Sequence, residues 1–358
     1  MENKQSKEGQ SAEWISTWSR FIRQKPLSHA PQHETGSDII EQVLEAIQQG
    51  DSCISASSEQ AETLNDLVVS ASHIEQQIAS FVFDGQSLYL YRYWALEQSL
   101  AQQVARLKQQ HIAAVDISAY PHLLTDEHQI QALSMVAKQG LNIITGGPGT
   151  GKTYTLARII ALLNQAMPNI RIAMAAPTGK AAQRMKEALQ NSLNDEKLQD
   201  LVTDELKQLN PITIHRLLGL GSNAQPRFHA QQALPYDVIV IDEASMLDLS
   251  LANMLLSAVP DHARVILLGD ADQLAAVDVG SVLADLQQVQ ALAENRVHLR
   301  NSRRFKQGAL IGQMAQFIQV QQPNQNAAAL LEKFAEQVVH PSEIKSITLT
   351  AEMEDQIQ

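Results

Sequence analysis

The run GGPGTGKT, Gly146 to Thr153, limits what this chain can fold into more than any other stretch, because it demands a strand before it and a helix after it. It fits the phosphate-binding pattern G-x-x-x-x-G-K-[ST], with Gly146, Gly151, Lys152 and Thr153 at the fixed positions. The flanks meet the demand. Leu141 to Thr145 reads as a short buried strand, and Tyr154 to Gln165 has the apolar spacing of a helix. Glycines let the backbone curl so that its N–H groups converge on a phosphate at the positive end of that helix. Lys152 then reaches the β/γ-phosphates, and the Thr153 hydroxyl binds Mg²⁺. The nucleotide cradle is read as Gly146, Gly147, Pro148, Gly149, Thr150, Gly151, Lys152, Thr153 and Tyr154.

Other runs make sense as neighbours of this loop. DVIVIDEASML, Asp237 to Leu247, is a buried parallel strand that delivers two carboxylates to its C-terminal end, where open α/β sheets bind ligands. Asp242 is read as holding Mg²⁺, and Glu243 as orienting and deprotonating the attacking water. RVILLGDADQL, Arg264 to Leu274, is another buried strand; it ends in Asp270, Asp272 and Gln273, the last placed to sense the γ-phosphate. VHLRNSRRF, Val297 to Phe305, brings Arg303 and Arg304 as stabilisers of charge on a transferring phosphoryl group. Upstream, Gln129 precedes the P-loop strand, where a side-chain amide can read both donor and acceptor on an adenine edge.

Two further pieces suit a single strand passing over the sheet. In IRIAMAAPTGKAAQRM, Ile170 to Met185, a strand runs into a turn and a helix start carrying Thr178 and Lys180. ITIHRLLGL, Ile212 to Leu220, offers Thr213, His215 and Arg216 for similar contacts. The polar stretch between them, Asn191 to Asn210, reads as an amphipathic helical insertion with a solvated face.

A chain of 358 residues, 44% of them hydrophobic, allows about two domains with real cores. Cys53 is its single cysteine, so neither a disulfide framework nor a four-cysteine metal site can form within the chain, and a reducing cytoplasm fits. The polar N-terminus has no apolar stretch of a signal peptide, and no run approaches a membrane span. A net charge of −12 argues against holding nucleic acid by bulk electrostatics, but not against a narrow, locally basic groove.

Residues 1–35 are read as a mobile arm, in which Trp14, Trp18 and Phe21 share a helix face. Residues 36–115 are read as a small α+β unit. A helix follows Ser37-Asp38, a second covers the Glu59–Val69 region, and two aromatic-rich runs flank Asp84-Gly85 in a hairpin from Phe81 to Trp94. A helix from about Ala95 to Gln109 closes it. This unit has no arrangement of His, Ser, Cys and carboxylates that builds a catalytic site.

The ordered series GGPGTGKT, APTGKAA, TIHRLLG, VIVIDEASM, LLGDADQL and SRRF resembles the motif set of superfamily 1 helicases. More narrowly it is similar to the RecD family, alpha subunits of exodeoxyribonuclease V that are 5′→3′ DNA helicases. The resemblance covers about Leu124 to Phe305, and more loosely LYLYRYWALEQSLA, Leu88 to Ala101. It implies a P-loop NTPase (RecA-like) parallel sheet flanked by helices over 116–300, with the α+β unit before it as the part that docks on a RecC-like scaffold and a RecB-like helicase–nuclease. ATP and Mg²⁺ are the implied cofactors, single-stranded and duplex-end DNA the implied partners, and double-strand break repair and recombination the implied process. By position, the resemblance puts Gln129 at the adenine, Gln273 and Arg304 at the γ-phosphate, and Thr178, Lys180, Thr213 and His215 on single-stranded DNA. After Phe305 nothing resembles the family's later motifs, so 301–358 is expected to be the start of a second motor domain, incomplete in this chain. Two function classes follow from the same residues: an ATP-dependent helicase motor subunit, or a nucleotide- and partner-binding module without helicase activity of its own.

Overall fold

The computed structural model describes residues 37–300, except 78, 119, 121, 222–224, 271–272 and 274–277, together with residues 15, 17–19 and 22. Its centre is a six-stranded, all-parallel sheet in the order β10-β5-β9-β8-β6-β7. The strands are β5 (Leu141–Gly146), β6 (Ile172–Ala176), β7 (Ile212–Thr213), β8 (Val238–Ile241), β9 (Arg264–Gly269) and β10 (Arg296–Leu299). β5, β8 and β9 are buried along their whole length, as continuous apolar runs require when helices cover both faces. Alternate residues feed two cores: Ile143, Ile239 and Ile241 point to one face, Ile144, Val238 and Val240 to the other.

Helices α4 (Glu127–Lys138), α5 (Lys152–Ala166) and α6 (Gly179–Leu193) cover the second face. α4 is started by Asp126, whose carboxylate accepts the Gln129 N–H at 3.1 Å. The insertion after α6 keeps the solvated face expected of it, with Glu196, Lys197, Gln199 and Asp200 exposed, and its other face is packed. Leu193, Leu198, Leu201 and Leu206, the last on the short helix α7 (Asp204–Lys207), are buried in the α4–α6 core, so the polar letters conceal a leucine stripe.

The first face is covered by α9 (Leu249–Ser257), by α10 (Val282–Gln288) and, from the N-terminal part, by α3 (Tyr91–Gln109). Leu100, Val104 and Leu107 of α3 lie in the same core as α9. Polar contacts add to this: Arg106 donates to the Leu256 and Val259 carbonyls at 2.9 Å each and pairs with Asp261, while Gln110 donates to the Ala263 carbonyl at 2.6 Å. These hydrogen bonds occupy carbonyls at and beyond the C-terminal end of α9, which have no partner within that helix. All the elements named belong to one compact unit, Met1–Gly147 with Gly151–Asn301; the loop tip Pro148–Thr150 falls outside it.

Ahead of α3 lies a four-stranded sheet in the order β1-β4-β3-β2, made of β1 (Cys53–Ser55), β2 (Val68–Ser70), β3 (Phe81–Phe83) and β4 (Ser87–Leu90). Its core is Phe81 and Leu88 packed on Ile40, Val43 and Leu44 of α1 (Ser37–Gln49), with Ile15 added from the N-terminal segment. The hairpin at Asp84-Gly85 is present, antiparallel, with Gly85 at φ 103° and Asp84 Oδ1 accepting the Gln86 and Ser87 N–H groups at 2.9 and 2.7 Å. Its second arm is shorter than expected. The ladder closes where Tyr91 N–H bonds the Ser80 carbonyl, and Tyr91 to Trp94 open α3 instead, with Tyr93 and Leu96 packing on the central core. The helix expected over Glu59–Val69 is also shorter: α2 is Ser58–Glu62, Asn65 adopts φ 49°, and Val68 and Val69 pair in parallel with β3. An open strand edge outweighs helix propensity for two β-branched residues. Trp14 and Phe21 lie outside the described residues; Trp18 is exposed. No helix among the described residues is long and apolar enough to cross a membrane.

Candidate nucleotide and nucleic-acid sites

Every strand of the parallel sheet ends at one edge, and the described residues among those singled out in the sequence lie along it or beside it. β5 delivers Gly146, and α5 begins at Lys152 directly after Gly151, whose φ of 86° is open to glycine and strained for other residues. Gly149 has φ 80°. A Cβ on Gly151 would come 2.8 Å from Gln129 Nε2, so the absence of a side chain there is what lets Gln129 reach the loop. Gln129 itself is buried, on the first turn of α4. The Lys152 ammonium donates to the Gly146 carbonyl and lies 3.4 Å from that of Gly147, and Thr155 Oγ1 donates to the Gly151 carbonyl at 2.9 Å.

β8 brings Asp242 and Glu243 to the same edge, with β9 between it and β5. Loss of hydration pushes the Asp242 carboxyl up to about 6; the Glu243 N–H, which Oδ1 accepts at 2.9 Å, pulls it down, the Glu243 carboxylate pushes it up, and the Lys152 ammonium pulls it down. The electrostatic contact between Lys152 and Asp242 joins the ends of two non-adjacent strands. Glu243 sits at φ 52° and ψ 40°, left-handed backbone that a non-glycine residue adopts only where its surroundings enforce it. The turn after it is closed by Gly269 at the end of β9. A Cβ there would run into Leu283 and come 3.1 Å from the Ser245 N–H. Asp270 is buried, and Gln273 Nε2 donates to its Oδ2 at 3.3 Å. Asp272, Arg303 and Arg304 lie outside the described residues.

At the far side of the sheet β6 and β7 pair in parallel, with Ala176 opposite Thr213. Both strands run into helix starts. Thr178 caps α6, its hydroxyl accepting the Ala181 N–H at 3.2 Å, and Thr213 caps α8 (Ile214–Leu217), accepting the Arg216 N–H at 3.2 Å. Each hydroxyl keeps its own proton to donate. Lys180 and His215 are exposed beside them. The structure thus brings Thr178, Lys180, Thr213 and His215 to one end of the sheet edge, apart from the P-loop.

Two residues that sequence reasoning passed over hold this arrangement together. Arg158, in the second turn of α5 and fully buried, donates to the Leu123 carbonyl at 3.0 Å, to the Tyr154 carbonyl at 3.1 Å and to Asp195 at 2.6 Å. Its guanidinium also covers one face of the Tyr154 ring, 3.2 Å from the centroid. Arg264, at the start of β9, is buried as well, donating to the Val136 carbonyl at 3.0 Å and to that of Ala113. A buried arginine persists only when its donors are met, and neither position carried a signal beyond a charge in an apolar run.

Residues 129–278 match the AAA domain family. The chain is similar to the RecBCD enzyme subunit RecD of Mycolicibacterium smegmatis, 43% identical over 247 residues that cover 65% of this chain and 43% of the relative. The RecD subunit of Haemophilus influenzae is 32% identical over 286 residues, 68% of this chain and 44% of the relative. The ATP-dependent RecD2 DNA helicase of Deinococcus radiodurans is 38% identical over 162 residues, 45% and 20% of the two chains. The resemblance to RecD carried by the motif series is therefore borne out over about two thirds of the chain, and the chain spans less than half the length of these relatives.

Proposed function

We propose that this chain is an ATP-hydrolysing motor subunit of the RecD type, a 5′→3′ DNA helicase that works with RecB-like and RecC-like subunits in double-strand break repair. The observation that carries the reading is the meeting of Lys152, Asp242 and Glu243 at the sheet edge, directly after a loop in which Gly151 has positive φ and no side chain to block Gln129. Similarity to RecD subunits supports it. In this reading residues 116–300 form the motor and residues 36–115 the part that meets other subunits.

The donor set fits ATP with Mg²⁺. A carboxyl that burial holds at about 6, close to one ammonium group, lacks positive charge that a divalent cation at Thr153 and Asp242 supplies. The metal, when bound, screens charge on the β- and γ-phosphates. Lys152 holds those phosphates, and the P-loop N–H groups orient them at the start of α5. Glu243, on its left-handed turn, would accept a proton from the water that attacks the γ-phosphorus while the bond to the β–γ bridging oxygen breaks and ADP leaves. Gln273 responds to the γ-phosphate from the end of β9, with Arg304 on the same group, and Gln129 reads the adenine edge. Thr178, Lys180, Thr213 and His215 contact the sugar-phosphate backbone of a single strand, with little sequence preference.

The test is ATP turnover by the purified chain, with and without single-stranded DNA and with and without its partner subunits. Turnover stimulated by single-stranded DNA is expected. Nucleotide binding without turnover under all four conditions would leave the binding-module reading in its place.

A further inference from the structure

An open trough of about 750 Å³ lies between α3 and α10. Its floor is apolar: Leu100 and Val104 from α3, Leu249 from α9, and Val282 and Leu286 from α10 are buried side chains that line it. Along one rim Ala101 and Ala105, one turn apart on α3, are exposed and small enough for a second backbone to come close. On the other rim Val289 is 43% exposed, a large apolar side chain facing water.

Charge marks the two ends. Glu97 of α3 and Asp285 of α10 line the trough from opposite walls, close enough that the Asp285 charge raises Glu97. Burial is the main cause of the upward shift in each. Glu97 accepts a hydrogen bond from Ser52, but Asp285 has no ion-pair or side-chain hydrogen-bond partner among the described residues. Lys108 lines the other end, likewise without an ion-pair partner. Glu97 to Lys108 is three turns of α3, roughly 16 Å at the rise of an α-helix. Carboxyls on both walls at this end, Glu97 and Asp285, disfavour a phosphate there.

We propose that this trough is the seat of an amphipathic α-helix from a partner subunit, its apolar face on Leu100, Val104 and Leu286 and a lysine or arginine entering between Glu97 and Asp285. The inference rests on the reading that the chain assembles with other subunits, and it names where and with what chemistry. An apolar face three turns long fills the floor, as in helix-in-groove recognition. A cation between two carboxyls that burial has raised relieves both, and an acidic side chain opposite Lys108 fixes the direction of the helix. α10 follows the segment that carries Gln273, and Gly280 N–H bonds the Gly50 carbonyl at 2.9 Å, so an occupant touches the N-terminal part and the approach to the nucleotide edge together.

The experiment measures binding of the full chain to its purified RecB-like and RecC-like subunits by surface plasmon resonance, with basal ATP turnover and melting temperature as controls. Glu97→Arg with Asp285→Arg is expected to weaken binding by about 30-fold or more, because it sets like charges against the entering cation. Ala101→Trp, on an exposed helix position where folding tolerates it, is expected to do the same by filling the trough. Basal turnover stays unchanged in both. Wild-type binding with both variants binding equally well overturns the groove and leaves the assembly reading standing. A wild-type chain that binds neither subunit overturns both. Self-association of the wild-type chain that the variants abolish would assign the trough to a second copy and refute the partner helix.

Discussion

The two ends of the sheet edge are built on opposite terms. Where β5, β8 and β9 finish, the backbone is forced: Gly149, Gly151 and Glu243 all have positive φ, Gly269 admits no Cβ, and Asp242 is held where its charge is unfavourable. Where β6 and β7 finish, nothing is forced. Thr178 and Thr213 sit in extended backbone as ordinary helix caps, with exposed Lys180 and His215 beside them. A site that must position a phosphoryl group and a water to fractions of an ångström justifies strain, whereas one that slides along a repeating backbone does better with exposed, replaceable contacts.

Substitutions should therefore act sharply at the first end and gradually at the second. Lys152→Gln is expected to abolish ATP hydrolysis while circular dichroism and melting stay native; unchanged turnover would remove the P-loop from the catalytic reading. Glu243→Gln should still bind nucleotide but turn over about 10²–10⁴ times more slowly, the usual worth of a general base, as single-turnover kinetics would show. Lost nucleotide binding would make Glu243 a structural residue.

Asp242→Asn sharpens the contrast through stability. The folded carboxyl titrates near 6 against an ordinary 3.8, so the charged form weakens the fold as pH rises from about 4 to 6, and the deficit is constant above that. The asparagine variant should be more stable than the wild type by up to about 3 kcal/mol near pH 8, with the gap closing as pH falls through 6 and gone below about 4. Thermal melts across that range check it; an equal gap at all pH values would mean that charge burial is not its cause. At the gentler end, Thr178→Ala should cost about 1 kcal/mol of stability as a lost cap. Lys180→Ala should weaken single-strand binding equally for all sequences and make its salt dependence shallower by about one phosphate contact, and a base-selective loss would contradict a backbone contact.

The forced end was the more legible in the sequence, since strain requires particular letters: glycines at fixed spacing, and adjacent acids after four β-friendly residues. The parallel sheet and the placing of Lys152 and Asp242 at one edge then follow from βα alternation, whereas the strand order β10-β5-β9-β8-β6-β7 does not. What stayed hidden depends on contacts across long separations. Nothing local announces that Glu243 takes a left-handed turn, that Arg158 and Arg264 are buried with their donors met by carbonyls, or that the leucines of the polar insertion close the α4–α6 core. The N-terminal hairpin was visible in Asp84-Gly85, but β2 was not, because Val68 and Val69 become a strand only when β3 offers its edge.

The hydrogen bonds from Arg106 to Leu256 and Val259 join residues 150 and 153 positions apart. On a ribosome that adds about 5–20 residues each second, α3 emerges roughly 8–30 s before the helix it packs against. Through that interval Leu100, Val104 and Leu107 have only the earlier strands of their core, such as Leu141 and Ile143 of β5, to pack on, so part of the stripe that α9 covers stays open to holding chaperones and to neighbours on a polysome. Synthesis order, rather than final stability, is where this architecture is most exposed to failure, and slowing translation between α3 and α9 should lower the yield of folded protein without altering the protein that does fold.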